Sequence, residues 1–472
     1  MTGRPALWAV AQQIGKQGVQ YLVFAVLAVL LSPQAFGVVA TAMIWIAFML
    51  VFSELGFGAA LIQRATLTPQ HLSSVFLLNL AVGALLAGFG WLSSYPFAWL
   101  MRVPEAQPVV AVLSLAFVSD AFSLTQIAVA QRELRFRTLA IRDIGAALIG
   151  GAVGVTLALR GAGAWSLVAQ TLVTSVCEAA LLWGMSPWRP RLREWSWAAL
   201  RELWGYSASI FGFNLFKFFA QNGDRLLVGA LLGPLALGLY TFAYRIVVQP
   251  VSMLVGAYGN YLFPRIARLQ DDAPRIRGVY LETLRMTSAA VTPAMALLAL
   301  IAPVAVPLLF GAQWVSAVPA VQILAGVAVL QALISPSGQL MKALNRMRWL
   351  LWWSVAITAI TASCMWASSR GGIVGVSLGL LVAYLIGLPI IAWINWRLIG
   401  VTLLASARSL WPSFAATLVV GALFSGILRS ALPSDALRSS LALALSLPTY
   451  AVILGLIDRS FVLRLLKGQM RI

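Results

Sequence analysis

The chain has 472 residues, 61% of them hydrophobic and 10% charged, with a mean hydropathy of +0.90. A soluble protein this apolar could not cover its hydrophobic surface, so the composition excludes a soluble enzyme or binding module and identifies a polytopic membrane protein. The net charge of +19 invites a nucleic-acid partner, but its distribution along the chain reports membrane orientation instead.

Fourteen apolar segments long enough to cross a bilayer can be counted, at 6–31, 36–62, 72–93, 107–129, 138–159, 162–184, 206–231, 235–263, 287–310, 318–341, 349–368, 373–396, 408–428 and 437–457. The expected fold is therefore an all-α integral membrane protein. An even number of passes puts both termini on one side. With the amino terminus in the cytoplasm, 24 of the 33 Lys and Arg fall at cytoplasmic ends and loops, and only Arg102, Arg160, Arg370, Arg429 and Arg438 fall outside. That bias predicts two cytoplasmic termini. The other four cations, Lys16, Lys217, Arg225 and Arg245, lie inside the spans.

The first span is interrupted by Gln12, Gln13, Lys16, Gln17 and Gln20, and no Ala-x-Ala site follows a compact apolar core, so no cleavable signal is expected. His71, the one histidine, lies beside a loop and is expected to be structural. Cys177 and Cys364 fall inside apolar segments, where small packing residues are the expectation. Glu54, Asp120, Asp143, Glu178 and Asp224 are the acids within spans; Glu54 and Asp143 lie near cytoplasmic ends, where arginines would pair with them.

Between the sixth and seventh spans, Arg189, Arg191, Arg193 and Arg201 alternate with Trp188, Trp195, Trp197 and Trp204. Such a segment suits the headgroup layer, which predicts an interfacial linker. After it, 206–263 carries Asn214, Lys217, Gln221, Asp224 and Arg225 in its first half. Arg245 lies about 16 Å along the second half at the helical rise, near the bilayer midplane. The segment PRIARLQDDAPRIRGVYLETLRM at 264–286 reads as an amphipathic helix on the cytoplasmic face.

Sliding the sequence by 201 residues aligns Lys16 with Lys217, Gln20 with Gln221, Leu30-Leu31 with Leu231-Leu232, Pro33 with Pro234, Ala35 with Ala236, Gly37 with Gly238 and Ala42 with Ala243. The second copy begins six spans after the first, so both enter the membrane in the same direction. That predicts parallel halves related by an axis along the membrane normal. The domains expected are 1–185, an amino-terminal lobe; 186–205, the linker; 206–400, a second lobe; and 401–472, two further spans and a cytoplasmic tail. Gln13, Lys16 and Gln20 share one helix face, as do Asn214, Lys217, Gln221 and Arg225. Arg245 and Gln249, at i and i+4, add a third wall.

One acid, Asp224, against four cations leaves a surplus of three. At about 3 kcal/mol each, their gross insertion cost approaches ~10 kcal/mol, comparable with the stability of a whole domain. A polar stripe can simply glue helices together, but that cost argues for a task. A cavity holding Lys16, Lys217, Arg225 and Arg245 suits an anionic group. The amides of Gln13, Gln20, Asn214, Gln221 and Gln249 add hydrogen-bond donors and acceptors to its wall.

The segments LLSPQAFGVVATAM at 30–43, AVAQRELRFRTLAIRD at 128–143, GAGAWSLVAQTL at 161–172, LLGPLALGLYTFAYRI at 231–246 and YLFPRIARLQDD at 261–272 resemble the polysaccharide exporters and O-antigen (Wzx-type) flippases of the MOP superfamily, in the colanic-acid-exporter-like branch. The resemblance covers nearly the first 400 residues. It implies two six-helix lobes in a V with helices 1, 2, 7 and 8 lining the cavity, followed by two carboxy-terminal helices. It implies an undecaprenyl-pyrophosphate-linked oligosaccharide as cargo, moved from the cytoplasmic to the periplasmic leaflet of a bacterial inner membrane for a surface polysaccharide or exopolysaccharide. Lys16, Lys217, Arg225 and Arg245 match cavity positions, and the cargo so implied fits them: the cations suit its pyrophosphate and the amides of Gln13, Gln20, Asn214, Gln221 and Gln249 its sugar hydroxyls. The partners it implies are that lipid-linked substrate, membrane lipids and polymerase or export machinery.

No cofactor is expected. Asp224, Asp120 and Glu178 are the candidates for H+ or Na+ coupling. The sequence holds no GxxxxGK[ST], HExxH or GxSxG motif, so bond chemistry is not expected. The alternative is a cation-coupled exporter of the related multidrug family, which would want cavity acids where this chain has a basic excess. A membrane glycosyltransferase or polymerase would want paired carboxylates near a large loop, and the loops here are short.

Overall fold

The computed structural model describes residues 3–54, 56–269, 272–428 and 435–459. They form α1 (Gly3–Leu30), α2 (Pro33–Glu54), α3 (Phe57–Gln63), α4 (Pro69–Leu100), α5 (Ala106–Leu113), α6 (Ala116–Arg132), α7 (Phe136–Leu159), α8 (Ala164–Met185), α9 (Trp197–Ala267), α10 (Ala273–Phe310), α11 (Val318–Ala343), α12 (Met347–Ser368), α13 (Gly372–Ile399), α14 (Leu403–Leu428) and α15 (Asp435–Ile457). No strand occurs among the described residues. In a bilayer this follows from hydrogen bonding, because a helix satisfies its own backbone where no water can.

Eleven stretches of described residues are long and apolar enough to span, and two of them hold two passes each. Asn214–Ala267 is divided at Gly233, whose φ of 80° is the one non-helical conformation in α9. A glycine there takes positive φ without the Cβ clash that any other residue would meet. Met347–Ile399 is divided by the short turn Ser369–Gly371. With α15 the passes among the described residues number fourteen, as the apolar lengths predict.

One boundary differs from expectation. The cytoplasmic amphipathic helix is not a separate element, because α10 runs unbroken for 38 residues from Ala273. At the helical rise that is about 57 Å, against a hydrocarbon core of about 30 Å. The basic segment is therefore the protruding first third of a membrane helix. Asp272 starts it, accepting the Arg275 N–H at 3.1 Å as an N-cap.

The chain forms two compact units, Met1–Gly238 and Leu239–Ile472. In the first, Val38, Ala42, Phe97, Met101, Val110 and Val168 form a core that joins α2, α4, α5 and α8. Helix α9 before Gly233 packs in this unit, with Phe211 against Phe52 and Phe218 against Phe48. In the second, Leu262, Ile266, Ile276, Tyr280, Leu340 and Ile399 form one cluster. Beside it the Asn395 amide donates to Tyr280 Oη at 2.8 Å and to Ser337 Oγ at 3.0 Å, tying α13 to α10 and α11.

The repeat leaves a reciprocal contact inside the first unit. A Cβ on Gly37 would lie 1.7 Å from the Pro234 carbonyl oxygen, and one on Gly238 would lie 2.0 Å from the Pro33 carbonyl oxygen. Gly37 and Gly238 are repeat mates, as are Pro33 and Pro234, so a local two-fold relates the two contacts. Backbone cannot rotate away as a side chain can. Gly37→Ala or Gly238→Ala is expected to cost about 1–3 kcal/mol through overpacking, read as a lower unfolding midpoint in detergent. Gly18→Ala, at a position with nothing within 4 Å, should leave the midpoint unchanged.

Candidate functional site

Small residues bring α1, α7 and α8 close enough for their polar groups to meet. A Cβ on Gly15 would strike Ile144, and one on Gly151 would strike Val23, so α1 lies tight on α7. On the other side, Gly150 and Gly154 face Thr174 and Gln170 of α8. Arg142, Ala146, Gly150 and Gly154 recur every four residues and form one buried stripe along α7.

At the end of that stripe lies an ionic network. Lys16 Nζ is 2.9 Å from Glu178 Oε1 and 3.8 Å from Asp143 Oδ2. Arg142 donates Nη2 to Glu178 Oε2 at 2.7 Å, Nη1 to Asp143 Oδ1 at 3.0 Å and Nε to the Glu178 carbonyl at 3.1 Å. The Gln12 amide donates to Asp143 Oδ2 at 2.8 Å. Beside the network, Ser175 donates to Asp120 Oδ1 at 2.6 Å, joining α8 to α6. The Arg142 side chain is 8% exposed, Asp143 7% and Glu178 14%, so these charges are screened mainly by each other. Burial of that kind costs several kcal/mol per ion and is offset only by full pairing.

This arrangement alters the charge count drawn from the sequence. Lys16 is paired with Glu178 and Asp143, so it leaves that count and the sequence surplus of three falls to two. Two bases, Lys16 and Arg142, stand against Asp143 and Glu178, with Asp120 as a third acid. Among the described residues Asp120 makes no ion pair, its bonded partner being Ser175.

The other expected site residues sit as follows. Gln13, Lys217 and Gln221 are exposed, and Gln20, Asn214, Asp224 and Arg225 are half-buried. The Asp224 carboxylate accepts the Arg225 backbone N–H at 2.8 Å. Arg245 and Gln249 are half-buried in the second unit. The structure thus brings Lys16 and Glu178 into direct contact, a cation and an acid that the sequence assigned to different tasks.

The arginine expected beside Asp143 is present, as Arg142, whereas the roles of Arg142 and Ser175 in the network are what sequence reasoning missed. Arg142 reads as a cytoplasmic-end arginine by position, yet it lies six residues inside α7. The available signal was the adjacent Arg-Asp pair within an otherwise apolar span.

The 186–205 linker is docked by polar contacts rather than by lipid alone. Ser73 donates to Glu194 Oε2 at 2.7 Å and accepts the Arg191 N–H at 3.2 Å, and Ser74 accepts the Ser196 N–H at 2.8 Å. Arg189 turns back to the carbonyls of Trp183 and Trp188 at 2.8 Å each, closing the end of α8. His71 caps α4, its Nδ1 accepting the Thr68 N–H at 3.2 Å, while Nε2 lies 3.3 Å from Glu202 Oε2. Arg64 also pairs with Glu202.

The His71 hydrogen bond and then the Arg64 charge hold the Glu202 carboxyl below the usual carboxylate range. A depressed folded-state pKa contributes stability above the unfolded value that is lost as pH falls through the folded one. Amide exchange at 197–203 is accordingly expected to speed up as pH drops below about 4, after correction for intrinsic exchange. Glu202→Gln should remove that dependence.

A family model described as "Polysaccharide biosynthesis protein" matches residues 26–319. The succinoglycan biosynthesis transport protein ExoT of Rhizobium meliloti is 25% identical over 467 residues, covering 97% of this chain and 94% of its own. The lipopolysaccharide biosynthesis protein WzxC of Escherichia coli is 26% identical over 384 residues, covering 81% and 78%. Among solved structures, the lipid II flippase MurJ in an inward closed conformation superposes with a TM-score of 0.76 at 10% identity, covering 97% of this chain and all of that one. An inward-facing multidrug resistance MATE transporter of the MOP superfamily gives 0.64 at 15% identity, covering 83% and 98%. At these identities the two structures report the fold.

Proposed function

Because the chain belongs to the polysaccharide biosynthesis protein family, whose model spans more than half of it, we propose that it is a flippase for an undecaprenyl-pyrophosphate-linked oligosaccharide. It moves that lipid from the cytoplasmic to the periplasmic leaflet of a bacterial inner membrane, supplying a surface polysaccharide or exopolysaccharide. The observation that carries the reading is this family match in a chain whose spans hold Lys217, Arg225 and Arg245. Relatives named for succinoglycan transport and lipopolysaccharide biosynthesis support it.

In this reading the halves at 1–185 and 206–400, joined by the linker, alternate access to a site between repeat-related helices. Lys217, Arg225 and Arg245 meet the pyrophosphate with charge-assisted hydrogen bonds. Gln13, Gln20, Asn214, Gln221 and Gln249 meet sugar hydroxyls. Lys16 joins them when Glu178 releases it, so its bond to Glu178 links substrate to the acid network. Asp120, bonded to a serine rather than a cation, is the acid best suited to carry a coupling proton; Asp224 and Glu178 are the alternatives. Both termini face the cytoplasm, the polymerase or export machinery receives the product, and the chain breaks no covalent bond. The excess of Lys217, Arg225 and Arg245 over Asp224 in the stretch 206–263 is the reverse of what a cationic-drug exporter needs.

Deleting the gene in a polymer-producing cell is expected to abolish the polymer and to accumulate its lipid-linked repeat unit on the cytoplasmic leaflet. Normal polymer in the deletion strain, with altered resistance to cationic drugs, would favour the multidrug reading.

A further inference from the structure

Between Glu282 and Asp435 the sequence contains no Asp or Glu, while the same stretch holds Arg285, Lys342, Arg346, Arg348, Arg370, Arg397, Arg408 and Arg429. Lys342 lies in the last turn of α11, Arg346 and Arg348 at the start of α12, and Arg397 in the last turn of α13. These four cations share one end of three neighbouring helices. Among the described residues none of them makes an ion pair. Lys342 and Arg397 are favoured by the helix dipole at their ends, but Arg346 and Arg348 oppose it, since the first turn of α12 has no acid. This end of the three helices is a cluster of positive charge.

Beside these charges α12 and α13 form an aromatic groove of about 520 Å³, lined by Arg348, Trp349, Trp352, Trp353, Ile390 and Trp393 among others. The Trp349 and Trp393 rings stack at 5.5 Å with 28° between planes. Trp353 forms the buried floor, and Gly387 makes room for it, because a Cβ there would come 3.0 Å from the ring. Trp352 is 73% exposed. The Arg397 guanidinium lies over the Trp393 and Trp396 rings at 5.9 and 5.6 Å.

We propose that this groove is a binding site for an anionic glycerophospholipid of the leaflet facing the basic helix ends, which the charge bias makes the cytoplasmic one. The phosphate sits between Arg348 and Arg397, and the acyl chains lie along the tryptophans. A free phosphate would leave the apolar groove unfilled. A neutral lipid would leave the cations unmatched. Tryptophan with arginine at a membrane helix end is the composition expected at headgroup depth.

The test uses the full-length protein purified in mild detergent, with native mass spectrometry of bound phosphatidylglycerol and phosphatidylcholine of identical chains. Wild type should retain phosphatidylglycerol over phosphatidylcholine by about tenfold or more, from roughly 1 kcal/mol per basic contact. The exposed pair Arg348→Gln/Arg397→Gln should lose that preference, and Trp352→Ser should weaken retention of both lipids. Equal retention by wild type, or an unchanged preference in the double variant, overturns the proposal. So does displacement of phosphatidylglycerol by stoichiometric undecaprenyl pyrophosphate, which would make the groove part of the substrate path.

Discussion

Arg142→Ala is expected to destabilise the protein by about 3–5 kcal/mol, the cost of leaving buried charges without their partner. The guanidinium holds the Asp143 and Glu178 carboxylates and the Glu178 carbonyl at once. Without it, two carboxylates and Asp120 would share Lys16, whose side chain is 32% exposed. Arg142→Lys keeps the charge but not the fork, so it should recover only part of the loss. Adding Glu178→Gln to Arg142→Ala should restore stability, because the orphaned carboxylate is then gone; the cycle of the two variants measures their coupling. Unfolding in detergent reads all three. Wild-type stability in Arg142→Ala would mean that water, not Arg142, solvates the acids.

Lys217→Ala and Arg245→Ala are each expected to abolish surface polysaccharide while the protein remains in the membrane. A charge-assisted hydrogen bond contributes about 1.5–3 kcal/mol, which is roughly a tenfold to hundredfold loss of affinity for each cation removed. Lys217→Arg and Arg245→Lys should retain part of the activity, because charge survives though geometry changes. Polymer yield and membrane-fraction immunoblots measure the two properties separately. Normal polymer in both alanine variants would remove the pyrophosphate clamp from the account.

Much of the architecture is legible from the sequence because the bilayer imposes it. Apolar lengths count the passes, and the matched pairs Pro33–Pro234 and Gly37–Gly238 reveal the repeat whose reciprocal contact the structure displays. What stays hidden is which helix supplies a partner. Arg142 and Glu178 are 36 residues apart and Lys16 and Glu178 are 162 apart, so no helical spacing links them. The glycines that bring α1, α7 and α8 together read, one at a time, as ordinary membrane-helix residues. The start of α10 was obscured for the opposite reason, since Arg275, Arg277 and Glu282 look like surface while the helix continues unbroken into the membrane.

Movement of one lipid across a bilayer is tested most directly with the purified protein in liposomes. Undecaprenyl-pyrophosphate-linked oligosaccharide placed on one leaflet is followed by an impermeant glycosidase that cuts only exposed sugars. Wild-type protein should make the shielded pool accessible, and Lys217→Ala should not. Accessibility no faster than in protein-free liposomes, with folded protein and an imposed ion gradient of either H+ or Na+, would contradict the account.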